Sequence, residues 1–430
     1  MTIALITCLS ITISSADNTA IEFSSNTTLA DLLEYAQHHN PGLISEQEQI
    51  EAAGERVSSA GALPDPVLTY GHFITPVETR LGPQERKFSL MQKLPWLQKL
   101  SLKRKAARQS VTLAELKKEH RRQDLFYRIK TAFFELRYLL NAERLTAENI
   151  VLFDQLTHVV RAAYGGGNAS QAAMLRIQIE IEMLKTSREQ LIDMRNAQTG
   201  RINALLSRDI DTPIHINEEI SSSPASMAVI ESDHLSQTAS ELQALLTANN
   251  PGLNMTRTKL DLAQTKVNLA GKSYFPDLSL GVHFIQTGDA IDPSMPDSGR
   301  DPLLATVSFG LPIWPGNHSA VKEEAKHLRA AARSAQKDRQ NELFAELEAA
   351  RAIWLSAKRQ VALYRDNIIP LAQQAYEVTA AAFAADQVSY TDLIEAQRSL
   401  LMTRLTMWRA ITDLESSQAK LELLIGSAEF

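Results

Sequence analysis

The sequence predicts a mainly helical chain with a small β part of four strands, arranged as two tandem copies of one unit. Three observations predict this fold class. Short segments recur in the same order in both halves, two pairs of short segments alternate polar and apolar residues, and long segments repeat apolar residues every three or four positions. The 430 residues, 44% hydrophobic and 22% charged, are typical of a folded chain that exceeds one ordinary domain.

The tandem repeat is visible as segments that recur at an offset rising from 210 to 219 residues. The matching pairs are Asn-Pro-Gly-Leu at 40–43 and 250–253, Pro-Asp at 64–65 and 276–277, His-Phe-Ile at 72–74 and 283–285, Leu-Pro at 94–95 and 311–312, and an Ala-aromatic pair at 163–164 and 382–383. Because their order is kept, we interpret the chain as a duplication. The predicted organisation is a signal peptide and extension (1–27), repeat 1 (28–210), a Ser/Asp/Glu-rich connector (211–235) and repeat 2 (236–428).

Each repeat is predicted to begin with one helix of about 30 residues, starting near Thr28 and near Ser236. Thr28 is a suitable N-cap, with Asp31 three residues further on. Two short strands follow, at about 67–94 in repeat 1 and about 277–312 in repeat 2. The loops that join them, 76–85 and 286–303, are rich in Pro, Gly and charged residues and are expected to be extracellular.

The strands alternate most clearly in repeat 2, where Leu280, Val282 and Phe284 alternate with Gly281 and His283. Strands of this length can cross a bilayer when tilted, but four strands cannot close a barrel. The sequence therefore predicts a barrel assembled from several chains. Two chains would give eight strands and three would give twelve, and the strand pattern alone does not decide between them.

After each strand pair the sequence predicts a very long helical segment. One such helix, from about Gln98 to Tyr164, would be about 100 Å long. In repeat 2 the apolar spacing alternates between four and three, which is typical of supercoiled helices. The positions are Leu343, Leu347, Ala350, Trp354, Ala357, Val361, Tyr364, Ile368, Leu371, Ala375, Val378 and Ala382. Pro370 falls inside this segment and should bend or locally unwind it.

The start of the chain holds Cys8, its one cysteine, within a short apolar segment. Cys8 has two interpretations: a lipidation site, or a residue of a signal peptide that is cut near 14–16. Thr7 and the lack of Lys or Arg before the segment favour the signal peptide. The missing basic residues are also compatible with a true start further upstream. The net charge of −6 and pI of about 6.0 give no reason to expect nucleic-acid binding.

The order of these elements resembles the TolC-like outer-membrane factors, also called the outer membrane efflux protein family. The helix breaks at 164–170 (Tyr-Gly-Gly-Gly-Asn-Ala-Ser) and 383–389 (Phe-Ala-Ala-Asp-Gln-Val-Ser) are similar to the family's pattern. The segment Gln-Lys-Leu-Pro-Trp at 92–96 is similar to its strand-to-helix junction, including that of the heavy-metal CzcC and CusC type. The resemblance implies a homotrimer with a 12-stranded transmembrane β-barrel above a long α-helical barrel.

The resemblance also implies a location in the cell outer membrane, extending into the periplasm. The partners it implies are outer-membrane lipid, a periplasmic adaptor (membrane fusion) protein and an RND-type inner-membrane pump. The channel would be a passive conduit for small solutes, heavy-metal cations among them. The alternatives are a periplasmic coiled-coil adaptor or structural protein and a periplasmic metal-binding module, which membrane fractionation would distinguish.

Asp392 and Glu395 occupy the positions where the family carries an acidic ring at the periplasmic gate. They lie three residues apart and so share one helix face. A ring of such carboxylates would favour cations. The competing interpretation is an ordinary solvated helix face. Repeat 1 has Ala173 and Arg176 at the matching positions, so any ring comes from repeat 2 alone.

The helix tips are the predicted docking surface for the adaptor. The candidate residues are Gly165, Gly166, Gly167, Ser170, Asp386 and Ser389. The glycines could equally do no more than end a helix, and the two interpretations are compatible.

His72 and His283 occupy matching positions of the repeats and are expected to share the face that lines the pore. Single histidines do not make a metal site, because a site needs several converging ligands. No phosphate-binding loop, nucleophile elbow or clustered His and carboxylate pattern appears in the sequence. We therefore expect no enzymatic activity, no cofactor and no metal site.

Overall fold

The computed structural model describes residues 27–165, 170–216, 238–292, 294, 296–385 and 387–427, without the side chain of Ala163. The elements in these residues are α1 (Leu29–His39), α2 (Pro41–Ala60), β1 (Val67–Thr79), β2 (Gly82–Leu94), α3 (Leu97–Gly165), α4 (Gln171–Leu206), α5 (Ala239–Asn249), α6 (Pro251–Gly271), β3 (Leu278–Thr287), β4 (Leu303–Phe309), α7 (Pro315–Leu363), a π-helical turn (Tyr364–Ile368), α8 (Ile369–Ala384) and α9 (Tyr390–Ile425). The fold is mainly helical, with one small antiparallel sheet.

Thr28 is the N-cap of α1, as predicted. Its Oγ1 accepts a hydrogen bond from the Asp31 N–H at 3.3 Å, and the Thr28 N–H donates to Asp31 Oδ2 at 2.8 Å. Thr238 and Glu241 form the same reciprocal capping box before α5. The predicted start near Ser236 lies outside the described residues.

The prediction of one helix of about 30 residues at the start of each repeat is wrong, because Asn40 and Asn250 each divide it into two. The Asn40 carboxamide oxygen accepts from the Gly42 N–H at 2.9 Å, and that of Asn250 accepts from the Leu253 N–H at 2.9 Å. The following proline stands at the first position of α2 and of α6. Proline at this position starts a helix, and it forces the preceding residue out of the helical conformation.

The four strands form one sheet in the order β1-β2-β3-β4, with every neighbouring pair antiparallel. The first connection is much shorter than the predicted loop 76–85, since only residues 80–81 separate β1 from β2. Pro76 lies where the pairing register shifts between His72 and Val77. Because β1 is an edge strand of this sheet, the missing proline N–H at this irregularity is tolerated. The second connection, 288–302, agrees with the predicted loop.

One face of the sheet is apolar and exposed. Tyr70, Phe88 and Phe284 lie side by side across it, with ring centroids 5.2 and 6.4 Å apart. Exposed aliphatic residues extend this face: Leu68, Leu90, Val282, Leu303 and Val307. On the opposite face His283 Nε2 lies 2.9 Å from Thr306 Oγ1.

The prediction that His72 and His283 share one face is wrong. His72 pairs with Arg86, two positions from the Tyr70–Phe88 pair, and so lies on the apolar face. His283 pairs with Ser89 on the opposite face. Side chains alternate along a strand, so an alignment that is out of step by one residue assigns the wrong face. The recurrence of His-Phe-Ile is such a case.

The helix α3 continues for 69 residues, about 100 Å, which confirms the predicted rod. Near the sheet the helices lie side by side in the order α2-α3-α6-α7. Towards the far end the order is α4-α3-α9-α8. We call this end, where α3 and α8 finish and α4 and α9 begin, the tip. One core lies among α1 to α4, a second among α5, α6, α7 and α9, and a third between α3, α4 and α9 near the tip.

The predicted interruption at Pro370 is confirmed and takes the form of the π-helical turn. Pro370 is the second residue of α8, and the Ile369 N–H bonds back to the Tyr364 carbonyl oxygen. Proline has no N–H, and its ring would clash with the carbonyl of residue 366 in a regular helix. A π-helical turn relieves this clash by accommodating one extra residue.

The extra residue displaces the apolar seam by one position. From Leu343 to Val361 the predicted seam is buried. Beyond the turn the prediction is wrong, since Leu371 is 64% exposed and Val378 is 62% exposed. The half-buried residues there stand one place later than predicted: Ile369, Ala372, Tyr376, Thr379 and Phe383. In the residues that the structure covers, no helix is both long and apolar enough to span a membrane.

Candidate functional site at the helix tip

Both second helices at the tip begin with a serine N-cap, as the pattern at the helix breaks predicts. Ser170 Oγ accepts a hydrogen bond from the Ala173 N–H at 3.2 Å. Gly165 is the last residue of α3 and is exposed, with open space where a Cβ would lie. The predicted tip residues Gly166, Gly167 and Asp386 lie outside the described residues, as does Cys8.

The start of α9 is held by a capping box between Ser389 and Asp392. The Ser389 Oγ–H and N–H donate to Asp392 Oδ2 at 2.7 and 2.9 Å, and the Asp392 N–H donates back to Ser389 Oγ at 3.3 Å. These hydrogen bonds from the Ser389 side chain and backbone lower the pKa of Asp392. The exposed carboxylate is therefore fixed in position and negatively charged at neutral pH.

Glu395 lies one turn further along α9 and is also exposed. Leu393 and Gln397, on the other side of the helix, are buried. The structure thus brings Asp392 and Glu395 onto one exposed face of a single chain, as the spacing predicts.

The adjacent helix α4 offers positive groups to α9. Arg176 Nη1 donates to Thr391 Oγ1 at 3.2 Å, and Arg398 of α9 lies 4.0 Å from Glu180 of α4. The first pair joins α4 to the residue just before Asp392. The charge of the tip is therefore mixed within one chain, with the carboxylates confined to the α9 side.

Sequence reasoning missed the polar contacts that attach α9 to α3. Below the tip, Gln397 Nε2 donates to Asn149 Oδ1 at 2.6 Å in a buried side-chain hydrogen bond. Gln397 matches Gln178 in the repeat, which marked its position but not its partner.

Further from the tip, two buried or half-buried ion pairs also join α3 and α9. Lys130 lies 2.7 Å from Glu422, and Arg137 contacts Glu415. The members of each helix are seven residues apart. This heptad spacing of charges is the signal in the sequence that would have identified them.

The structured part of the chain holds no group of three His, Cys, Asp or Glu side chains arranged to bind a metal ion. Chemically, the tip offers exposed carboxylates, serine hydroxyls and free helix ends. These groups suit electrostatic and hydrogen-bonding contacts.

Comparison with known proteins agrees with this architecture. Residues 242–427 match the family described as Outer membrane efflux protein. The outer membrane protein TolC of Vibrio cholerae is 25% identical, with 93% of this chain and 90% of TolC covered. This chain is a TolC-like outer-membrane factor.

The TolC-like factor is also similar to a metal-resistance protein. The cobalt-zinc-cadmium resistance protein CzcC of Cupriavidus metallidurans is 23% identical, and the match spans 44% of each chain. The match therefore covers less than half the length of CzcC.

A solved structure shares the fold of the TolC-like factor. The crystal structures of CusC, described in terms of transmembrane channel formation, superpose with a TM-score of 0.71 at 16% identity, covering 93% of this chain and 92% of CusC. The family and the fold together support an outer-membrane efflux channel.

Proposed function

We propose that this TolC-like factor is the outer-membrane channel of a tripartite efflux system, a passive conduit that exports small solutes and performs no catalysis of its own. The observation that carries the proposal is the direct continuation of the sheet into long rods. The helix α3 begins three residues after β2 ends and then runs for about 100 Å. This length suits a channel that reaches from the outer membrane far into the periplasm.

Assembly into a homotrimer would complete the sheet. Within the described residues, β1 and β4 each pair on one side only, and the apolar face of the sheet is exposed. In a membrane every strand edge must be paired, so the sheet must continue into further copies. Three copies would give a closed 12-stranded barrel with room for a lumen. The apolar face would then contact outer-membrane lipid.

The acidic ring at the periplasmic gate is part of the proposal. Asp392 and Glu395 are exposed on one face of α9, and Asp392 is held by the capping box. In a trimer these residues would contribute six carboxylates to one constriction, which would favour cations.

The tip would also dock the periplasmic adaptor protein, which links the channel to an RND-type inner-membrane pump that supplies the energy. The proposed docking residues are Gly165, Gly166, Gly167, Ser170, Asp386 and Ser389. The exposure of Gly165 at the end of α3 and the serine caps of α4 and α9 support this role.

Heavy-metal cations are the proposed class of exported solute. The printed name of CzcC, a cobalt-zinc-cadmium resistance protein, supports this proposal, and so does the exposed acidic face of α9.

Fractionation followed by conductance measurements tests the channel proposal. The protein expressed in a Gram-negative host is expected to remain in the outer membrane after carbonate extraction. When purified and reconstituted in a planar bilayer, it is expected to form cation-selective pores. Release by carbonate, without conductance, would contradict the proposal and favour the periplasmic adaptor or structural alternative.

A further inference from the structure

The π-helical turn leaves an apolar face on α8 that no described residue of the same chain covers. Leu371 and Val378 are 64% and 62% exposed, and Ala375 and Ala381 are exposed between and beyond them. The four residues follow one another at spacings of four and three, so they lie along one side of the helix. We call them the α8 stripe.

A second uncovered stripe runs along α4. Leu175, Ile179 and Met183 are each more than half exposed and lie four residues apart. Together with Gln178 and Glu182 they line a shallow groove on the helix surface. We call Leu175, Ile179 and Met183 the α4 stripe.

The two stripes lie at the same distance from the tip. Leu371 lies 13 residues before the end of α8, and Met183 lies 12 residues after the start of α4. At 1.5 Å per residue, both lie about 18 to 20 Å from the tip. Val378 and Leu175 lie correspondingly nearer to it. The helices run in opposite directions, so the stripes match along their whole length.

Within one chain the two stripes cannot meet. Near the tip the helices follow the order α4-α3-α9-α8, which places α4 and α8 at opposite ends of the layer. The free edges of the sheet, β1 and β4, fall on the same two sides. A ring of copies that joins β4 to the next β1 therefore also brings α8 of one copy beside α4 of the next.

We propose that the α8 stripe of one copy packs against the α4 stripe of the neighbouring copy, and that the π-helical turn aims the α8 stripe at this contact. The bulky side chains of the α4 stripe would fit beside the alanines of the α8 stripe, as knobs fit holes. Without the extra residue, the continuous seam would turn Leu371 and Val378 towards α9 of their own chain. This inference rests on the ring assembly in the proposed function.

Cysteine cross-linking in outer membranes tests the contact. The variants carry Cys8→Ser, so that the chain has no native cysteine, with Leu371→Cys combined with Met183→Cys. A short bismaleimide is expected to link this pair into products of two and three copies. The matched control combines Leu371→Cys with Val159→Cys, an exposed position on α3 at a similar distance from the tip, and is expected to give no such product.

Removing one residue from the turn tests its role. Deletion of Asn367 is expected to abolish the Leu371–Met183 cross-link, while Asn367→Ala, which keeps the length, should retain it. Circular dichroism checks that both variants keep their helicity.

The outcomes separate this inference from the proposed function. Conducting oligomers without the 371–183 product would overturn the stripe contact and leave the channel standing. A product with an adaptor protein alone would overturn it as well, because the α4 stripe would then serve a different partner. Absence of both oligomer and conductance would overturn the two proposals together.

Discussion

Arg137 of α3 and Glu415 of α9 form an ion pair that is almost fully enclosed, with the two side chains 7% and 15% exposed. One heptad away, Lys130 pairs with Glu422 between the same two helices. These pairs lie where repeat 1 meets repeat 2. They fix the register of α9 against α3, since each charge has its partner at only one alignment.

Arg137→Met should destabilise the protein by about 3 kcal/mol, because it leaves the Glu415 carboxylate buried without its partner. Denaturant unfolding in detergent, followed by circular dichroism, measures the change. Arg144→Met serves as the matched control. Its pair with Glu148 is about half exposed, so the expected loss is below about 1 kcal/mol. A loss as small for Arg137→Met as for the control would contradict the role of the buried pair.

The stability of the protein should depend on pH through Glu415. Burial raises the pKa of Glu415 above its usual 4.5, although the charge and hydrogen bond of Arg137 oppose the shift. The folded state then holds the proton more tightly than the unfolded state, so its contribution is complete below pH 4.5 and is lost as the pH rises through the folded pKa. Relative to Glu415→Gln, the wild type should lose stability across this window. Parallel pH profiles of the two proteins would refute the shift.

The capping box at the start of α9 should weaken in acid. Since the pKa of Asp392 is lowered, its contribution is present above the ordinary value of 3.8 and disappears as the pH falls through the folded pKa. Hydrogen exchange, corrected for its intrinsic pH dependence, should show protection falling at the first turn of α9 but not at the first turn of α4. The Ser170 cap of α4 has no acidic partner in its first turn and serves as the internal control.

Replacing Asp392 and Glu395 with Ala should weaken cation block of single-channel conductance, because it removes the proposed ring of negative charge. Glu377→Ala is the control, since Glu377 is an exposed carboxylate on α8 outside that face. Unchanged block in the double variant would remove the acidic ring from the proposal, while the channel itself would stand.

Gly82→Ala should displace the loop between β3 and β4. Gly82 has a φ of +128°, and a Cβ there would lie 1.9 Å from the Gly288 carbonyl oxygen. The loop is held at this point by a hydrogen bond from the Gly288 N–H to the Pro83 carbonyl oxygen at 2.8 Å. Limited proteolysis of the purified protein should cut the loop 288–302 faster in the variant. Gly71→Ala, whose Cβ would meet only ordinary contacts, should behave like the wild type.

Local signals in the sequence predicted much of the fold. The rod α3 was placed within one residue at each end, because its helix-forming composition continues without Pro or Gly until Gly165. Ser170 and Ser389 were predicted at the helix breaks, and both cap helices.

The errors arose where tertiary structure decides. Pro370 indicated an interruption, but a spacing pattern cannot show that the interruption inserts a residue and turns Leu371 outwards. The face of His72 depends on strand register, which the recurring tripeptide misassigned. The partners Asn149 and Gln397 are 248 residues apart, and nothing local indicates that their helices meet.

The two long rods of the chain are mechanically unequal. From Leu97 to Gly165 the first is a single uninterrupted helix, whereas the second, from Pro315 to Ala384, contains the π-helical turn at Tyr364–Ile368. A sideways load on the far end will flex the second rod at this joint before it flexes the first. The stiff rod therefore acts as a strut of fixed reach, while the jointed rod is the one whose end can swing.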